Sequence, residues 1–123
     1  MDARRIGIVG PCSSGKSTLA RILRAQGYCV KEIMQEHCAA PMMWRRITNP
    51  DVLIYLDVSM DVAARREGLE APSSWWVEER EVRLAHARAN CDLYVDTSAL
   101  TPEDVLAQVA DYLQEGAEIP VAS

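Results

Sequence analysis

The stretch "GPCSSGKST", residues 10–18, determines how the rest of the chain is interpreted. It fits the pattern G-x-x-x-x-G-K-[ST] at every fixed position. The run "IGIV", residues 6–9, stands directly before it, and its continuous apolar character predicts a buried strand. After it the apolar residues take up helical spacing, at Leu19, Ala20, Ile22 and Leu23. A helix is therefore predicted to begin at Lys16, so that the motif joins a strand to a helix.

The residue types of this motif are those that a loop needs to bind phosphate. Gly10 and Gly15 let the backbone turn so that successive N–H groups point at one anion, and the following helix adds the positive end of its dipole. Lys16 supplies a mobile charge for the β- and γ-phosphates, and Ser17 supplies a hydroxyl for Mg²⁺. We call residues 10–17 the phosphate loop. The predicted nucleotide-binding residues here are Gly10, Cys12, Ser13, Ser14, Gly15, Lys16, Ser17 and Thr18.

Strand and helix signals alternate along the whole chain, which predicts a parallel sheet with right-handed crossovers. Further strands are predicted at residues 28–33, 51–59 and 92–96. Further helices are predicted after Ser59, over residues 74–90, and from Thr101 to a stop at Gly116. The expected architecture is one domain over residues 1–123, a three-layer α/β/α P-loop fold with about four strands and helices on both faces. The strand before the phosphate loop and residues 51–57 should be neighbours at its centre, because both are continuously apolar.

Composition and charge exclude several other classes of protein. The chain has 123 residues, of which 49% are hydrophobic and 25% charged, with a formal net charge of −5. No basic run is present, so we expect neither nucleic acid nor a membrane surface as a partner. No apolar stretch has the length of a signal peptide or a membrane span, which predicts a cytoplasmic location. The four cysteines lack CxxC pairs and zinc-ligand spacing, which indicates free thiols.

Two further stretches resemble the nucleoside and nucleotide kinases of the P-loop NTPase superfamily. "PDVLIYLDVSMDVAARR", residues 50–66, resembles their fourth strand and the helix after it, and "ANCDLYVDTSALTPEDVLAQV", residues 89–109, resembles their last strand, loop and helix. The resemblance implies ATP or another purine nucleotide, Mg²⁺ and phosphoryl transfer. It also implies that Arg65 and Arg66 begin a lid that touches the phosphates or the adenine. Together with Lys16 they are predicted catalytic residues, and the loop under the adenine would be Thr97, Ser98 and Ala99.

The chain departs from these kinases where they bind the phosphate acceptor. Only "MQEHCAAPMMWRRITN", residues 34–49, separates the second strand from the central one, and the lid region has shrunk to "EGLEAPSSWW", residues 67–76. An acceptor site of the usual size does not fit there. Three explanations remain open: the acceptor is small, another chain completes the site, or transfer is not the function. The chain is then either a minimal kinase with a small unknown acceptor or a non-catalytic nucleotide-binding or sensor module, with or without a partner subunit that completes it. Three tryptophans in so short a chain are also compatible with a homodimer.

Glu36 is the predicted acidic partner of the metal and is counted among the catalytic residues. The second strand must end at the same sheet edge as the first, because a helix joins the two parallel strands. "QEH" follows that strand, and Glu36 is the only carboxylate between Glu32 and Asp51. Mg²⁺ usually takes one or two carboxylates together with phosphate and water. Ser17 and Glu36 are therefore the predicted metal ligands, within direct or one-water reach of each other, and Asp57 is a lower-ranked alternative.

Overall fold

The centre of the fold is a sheet of four strands, each parallel to its neighbours. A computed structural model describes residues 4–11, 14–33, 45, 50–67 and 74–122. In chain order the strands are β1 (Arg5–Val9), β2 (Cys29–Glu32), β3 (Val52–Asp57) and β4 (Leu93–Asp96), and their spatial order is β2-β1-β3-β4. Ile6 lies opposite Val30 of β2 on one side and Val52 of β3 on the other. The predicted parallel sheet, with β1 beside β3 at its centre, is confirmed.

Helices cover both faces of this sheet, as predicted. They are α1 (Lys16–Ala25), α2 (Met60–Glu67), α3 (Ser74–Asn90) and α4 (Pro102–Ala122). Leu23 of α1 and Leu113 of α4 belong to one buried cluster, while Leu84 of α3 belongs to a second cluster on the opposite face. Within the described residues, no helix combines the length and the apolar character that crossing a membrane requires.

The apolar run of β3 supplies both clusters at once. Successive side chains of a strand point to opposite faces, so Ile54 and Leu56 pack with α1 and α4, while Leu53 and Tyr55 pack with α3. All four side chains are at most 2% exposed. A strand covered on both faces needs apolar residues on both of its sides, which explains why residues 52–56 of β3 are all apolar.

One predicted helix end, at Thr101, is confirmed and another is wrong. Gly27, with φ 97°, follows the end of α1, and Thr101 caps α4 by accepting the Asp104 N–H at 3.2 Å. The predicted stop of α4 at Gly116 is wrong, because α4 continues to Ala122. Glycine inside a helix costs only about 1 kcal/mol relative to alanine. The good helix formers that flank it, Glu115, Ala117 and Glu118, favour continuation.

Candidate functional site

The phosphate loop contains two glycines that are required for different reasons. Gly10 has φ 151°, and a Cβ built on it would lie 1.9 Å from the backbone oxygen of Leu56 in β3. No side chain fits at that close approach. Gly15 has φ 99° directly before α1, and no described residue other than its two chain neighbours comes within 4 Å of a Cβ built on it. Its left-handed backbone, rather than lack of space, favours glycine there.

Lys16 is folded onto the backbone of its own loop. Its Nζ donates hydrogen bonds to the carbonyl oxygens of Gly10 at 2.7 Å and Pro11 at 3.0 Å. The residue is only 7% exposed, and a buried ammonium requires such partners. A phosphate oxygen is a stronger, charge-assisted acceptor than a neutral carbonyl. The ammonium can therefore exchange a carbonyl for a phosphate without leaving the loop.

Ser17, in the first turn of α1, meets a carboxylate from β2. Its hydroxyl donates to Oε1 of Glu32 at 2.6 Å. Glu32 is the last residue of β2 and lies opposite Ile8 of β1 in the sheet register. Sequence reasoning missed Glu32 because the search for a carboxylate began after the strand. The available signal was that the last residue of a strand beside β1 also reaches the edge where the phosphate loop begins.

Some predicted site residues fall outside the described part of the chain. Cys12 and Ser13 of the phosphate loop belong to this group, and so does Glu36. The assignment of Glu36 to the metal therefore stays a prediction.

A cavity of about 320 Å³ opens beside the phosphate loop. Its polar side is formed by Ser14, Gly15, Thr18, Arg66 and Thr97. Its apolar side comes from α1, from the loop before α4 and from the start of α4, and consists of Leu19, Ile22, Leu100, Pro102 and Val105. This volume falls within the range of small-molecule sites, which combine apolar walls with a few polar groups. The cavity lies where the strands end, the usual ligand position in open α/β sheets.

The hydroxyl of Ser14 has no hydrogen-bond partner among the described residues. Ser14 lines the cavity and is 1% exposed, so water does not satisfy the hydroxyl freely. Leaving a buried hydroxyl unpaired costs about 1–3 kcal/mol. A polar ligand atom at this point of the cavity would remove that cost, so the residues present fit a ligand with polar atoms next to the loop.

Of the two arginines predicted for the lid, only Arg66 lines the cavity. Its Nη2 donates to the carbonyl oxygen of Thr97 at 2.8 Å, and its Nη1 lies 3.4 Å from the Thr97 hydroxyl. Arg65 is exposed and is not among the residues that form the cavity. The helix that carries both, α2, begins at Met60, directly after Ser59, whose hydroxyl accepts the Val62 N–H at 3.3 Å.

Ser98 supports the loop after β4 from outside the cavity. Its hydroxyl accepts the Ser59 N–H at 2.8 Å, and its own N–H donates to Asp96 at 2.9 Å. Hydrogen bonds from Ser98 hold the pKa of Asp96 below its usual range. Its neighbour Thr97 lines the cavity instead. Contact between Ser98 and a nucleotide stays a prediction.

Asp57, the alternative carboxylate for the metal, accepts a hydrogen bond from a tyrosine. Its carboxylate accepts hydrogen bonds from the Tyr94 hydroxyl and, at 2.8 Å, from the Val58 N–H. The Tyr94 ring stacks on Tyr55, with centroids 5.6 Å apart. Burial and the Asp57 contact raise the pKa of Tyr94 to about 12. These contacts explain Asp57 as a structural residue.

The fold is similar to that of a known kinase, although the sequence matches none. No protein-family model matches the chain, and no curated protein matches it. Thymidylate kinase from Candida albicans superposes with a TM-score of 0.66 at 13% identity, over 93% of this chain and 92% of that one. A yeast Spc42 coiled-coil segment fused to another protein gives a TM-score of only 0.45 at 23% identity, over 98% of this chain and 85% of that one. The chain has a P-loop kinase-like fold.

Proposed function

We propose that this protein binds a purine nucleotide with Mg²⁺ and transfers a phosphoryl group from it to a small acceptor. The observation that carries the proposal is the phosphate loop, with Lys16 buried in it, opening directly onto a cavity of about 320 Å³. The kinase-like fold supports nucleotide binding. In this arrangement the loop takes the phosphates, and the cavity takes the nucleoside.

The phosphates are bound by groups of the loop and of α1. Lys16 exchanges the carbonyl oxygen of Gly10 or Pro11 for a phosphate oxygen and so neutralises charge on the transferring group. The backbone N–H groups before α1 and the positive end of that helix supply further donors. Positioning and charge neutralisation of this kind are the main contributions of a protein to phosphoryl transfer.

Ser17 and Glu32 fit a magnesium ion bound to the nucleotide. Both offer oxygen atoms, which Mg²⁺ prefers, and they already lie 2.6 Å apart. Among the described residues, no group of three or more His, Cys, Asp or Glu side chains is suited to hold a metal. That suits a cation whose other ligands are phosphate oxygens and water. When bound, the ion would neutralise charge on the β- and γ-phosphates. Glu36 remains a second proposed ligand.

The lining of the cavity favours adenine over guanine. Five apolar side chains offer contact to the faces of a base, and the Arg66 guanidinium can stack on it. None of the described lining residues carries a carboxylate or a carboxamide. The N1–H and amino donors of guanine would therefore find no side-chain acceptor of that kind, and unpaired polar groups weaken binding. We infer that ATP is the preferred nucleotide.

A second candidate function is nucleotide binding without transfer. It is favoured by the contacts of the two lid arginines. Arg66 donates a hydrogen bond to the carbonyl oxygen of Thr97, and Arg65 is exposed and does not line the cavity. An arginine that stabilises the transition state must reach the transferring phosphate. If neither arginine does so, the protein would act as a sensor or as a subunit completed by a partner, which includes a second copy of the chain.

A thermal-shift screen followed by a transfer assay separates these functions. ATP, ADP, GTP and GDP are tested with and without Mg²⁺, because a ligand that binds the native state raises the melting temperature. ATP turnover is then measured with small acceptors. Thymidine monophosphate belongs among them because the similar structure is a thymidylate kinase. A shift with transfer supports the first proposal, and a shift without transfer with any acceptor supports the second. A flat response to all four nucleotides contradicts both.

A further inference from the structure

Thr97, the first residue after β4, connects three separate parts of the site. It is 2% exposed. Its N–H donates to the carbonyl oxygen of Asp57 at 2.8 Å, and its own carbonyl accepts from Arg66 at 2.8 Å. Its hydroxyl oxygen lies 2.9 Å from the carbonyl oxygen of Ser14 and 3.0 Å from that of Asp57. The phosphate loop, the end of β3 and helix α2 therefore meet at one buried residue.

The Ser14 carbonyl depends on this hydroxyl more than the Asp57 carbonyl does. A threonine hydroxyl has one proton to donate. The carbonyl of Asp57 already receives the Thr97 N–H. The carbonyl of Ser14 is also the nearer acceptor for the hydroxyl, at 2.9 Å against 3.0 Å for that of Asp57. Because a buried carbonyl left unpaired is costly, the proton is better placed on Ser14.

This hydrogen bond controls the direction of a phosphate-loop donor. The carbonyl of Ser14 and the N–H of Gly15 belong to one planar trans peptide, so they point in opposite directions. When Thr97 holds the carbonyl, the Gly15 N–H is fixed on the other side of that peptide. Gly15 has φ 99°, and glycine adopts many other backbone conformations as easily. Gly15 by itself therefore does little to fix the orientation of this peptide.

We propose that Thr97 is a positioning residue, whose hydroxyl orients the Ser14–Gly15 peptide so that its N–H faces the bound phosphates. The proposal rests on the function proposed above, since it assumes a phosphate ligand in the loop. It assigns a role in phosphate affinity to a residue 83 positions away from Ser14 in sequence. Thr97 does not touch the phosphates and acts only through Ser14.

Two substitutions isolate the hydroxyl. Thr97→Val removes the O–H but keeps the branched shape and both backbone hydrogen bonds. Thr97→Ser keeps the O–H and loses only a methyl group, so it should rescue binding. Thr101→Val is a matched control that removes the N-cap hydroxyl of α4 and lowers stability by about 1 kcal/mol without contacting the phosphate loop. If Thr97→Val does not fold, Thr97→Ala replaces it with the same expected result.

The test is a calorimetric titration with inorganic tripolyphosphate and with ATP, each with Mg²⁺, well below the melting temperature of every variant. Tripolyphosphate has no base or ribose, so it reports on the loop alone. We expect Thr97→Val to weaken both ligands about fivefold to tenfold, the value of one lost hydrogen bond. Thr97→Ser and Thr101→Val should stay within about twofold of the wild type, less than the effect of one such bond.

Three results would overturn the role of Thr97. The first is an unchanged affinity of Thr97→Val for tripolyphosphate. The second is a loss of affinity in Thr97→Ser as large as that in Thr97→Val, and the third is an equally large loss in Thr101→Val. The first excludes the hydroxyl, the second points to side-chain size, and the third points to stability alone. Failure of the wild type to bind either ligand would instead overturn the proposed function and this inference with it.

Discussion

The hydroxyl of Ser17 donates a hydrogen bond to the carboxylate of Glu32 at 2.6 Å, so the first turn of α1 is joined to the last residue of β2. The contact arises because β2 lies beside β1 and runs parallel to it, which brings both strand ends to one edge of the sheet. A carboxylate after the second strand was expected to reach Ser17 for this reason. Among the described residues the carboxylate that reaches Ser17 is Glu32, the last residue of the strand itself.

The first prediction assigns the metal-dependent part of nucleotide binding to Glu32. Glu32→Gln keeps the size of the side chain but removes its charge. It should abolish most of the extra thermal stabilisation that Mg²⁺ adds to ATP, because Mg²⁺ binds carboxylates far better than amides. Stabilisation by ATP without metal should be unchanged. Glu36→Gln is the comparison variant, and we expect a smaller effect from it. A full Mg²⁺ effect in Glu32→Gln together with its loss in Glu36→Gln would transfer the role to Glu36.

The second prediction separates the two glycines of the phosphate loop. Gly10→Ala should destabilise the protein by more than about 4 kcal/mol, because the new Cβ would meet the Leu56 carbonyl at 1.9 Å. Gly15→Ala should cost only about 1–2 kcal/mol, the penalty for a left-handed alanine in open space. Urea unfolding measures both. Equal losses of stability would show that the close approach between the loop and β3 is not as described.

The third prediction concerns Tyr94 at high pH. Burial and the neighbouring Asp57 raise its pKa from 10.0 to about 12, so the folded state holds the proton more tightly than the unfolded state. The stabilisation is complete below pH 10 and is lost as the pH rises towards 12. Urea unfolding across this range should show the decline, and Tyr94→Phe should reduce it. An identical decline in Tyr94→Phe would assign it to other groups, among them Tyr112, whose pKa burial also raises.

The fourth prediction concerns the base. Arg66→Met should weaken ATP binding about fivefold to tenfold, the value of a stacked guanidinium, and should leave tripolyphosphate binding unchanged. Arg65→Met is the matched control, because Arg65 is exposed and does not line the cavity. Wild-type protein should also bind ATP more tightly than GTP. Equal loss of both ligands in Arg66→Met would show that Arg66 contacts phosphate instead.

The main features of the fold were predictable from the sequence because they depend on local patterns. The unbroken apolar run of β3 indicated a strand covered on both faces, and the glycine motif located the turn between β1 and α1. The end of α4 was not predictable, since a single glycine at position 116 is a weak stop signal.

The contacts within the site depend on chain packing and were harder to predict. Arg66 was inferred from resemblance and lines the cavity, and its contact with a nucleotide stays a prediction. The bond from Thr97 to Ser14 joins residues 83 positions apart, so no local pattern reveals it. That the Ser14 hydroxyl has no hydrogen-bond partner among the described residues likewise depends on its surroundings after folding. The topological argument that selected Glu36 applies equally to Glu32, but it considered only residues after the strand.

Direct calorimetric titration of ATP with Mg²⁺ into wild-type protein, Lys16→Ala and Lys31→Ala tests the central claim that this loop binds nucleotide phosphates. Lys31 is an exposed lysine on β2, so its removal changes the net charge equally without touching the loop. We predict saturable binding to the wild type, the same affinity for Lys31→Ala, and a loss of more than about tenfold for Lys16→Ala, because a charge-assisted hydrogen bond contributes about 1.5–3 kcal/mol. No saturable binding to the wild type, or equal affinity for Lys16→Ala, would contradict the claim.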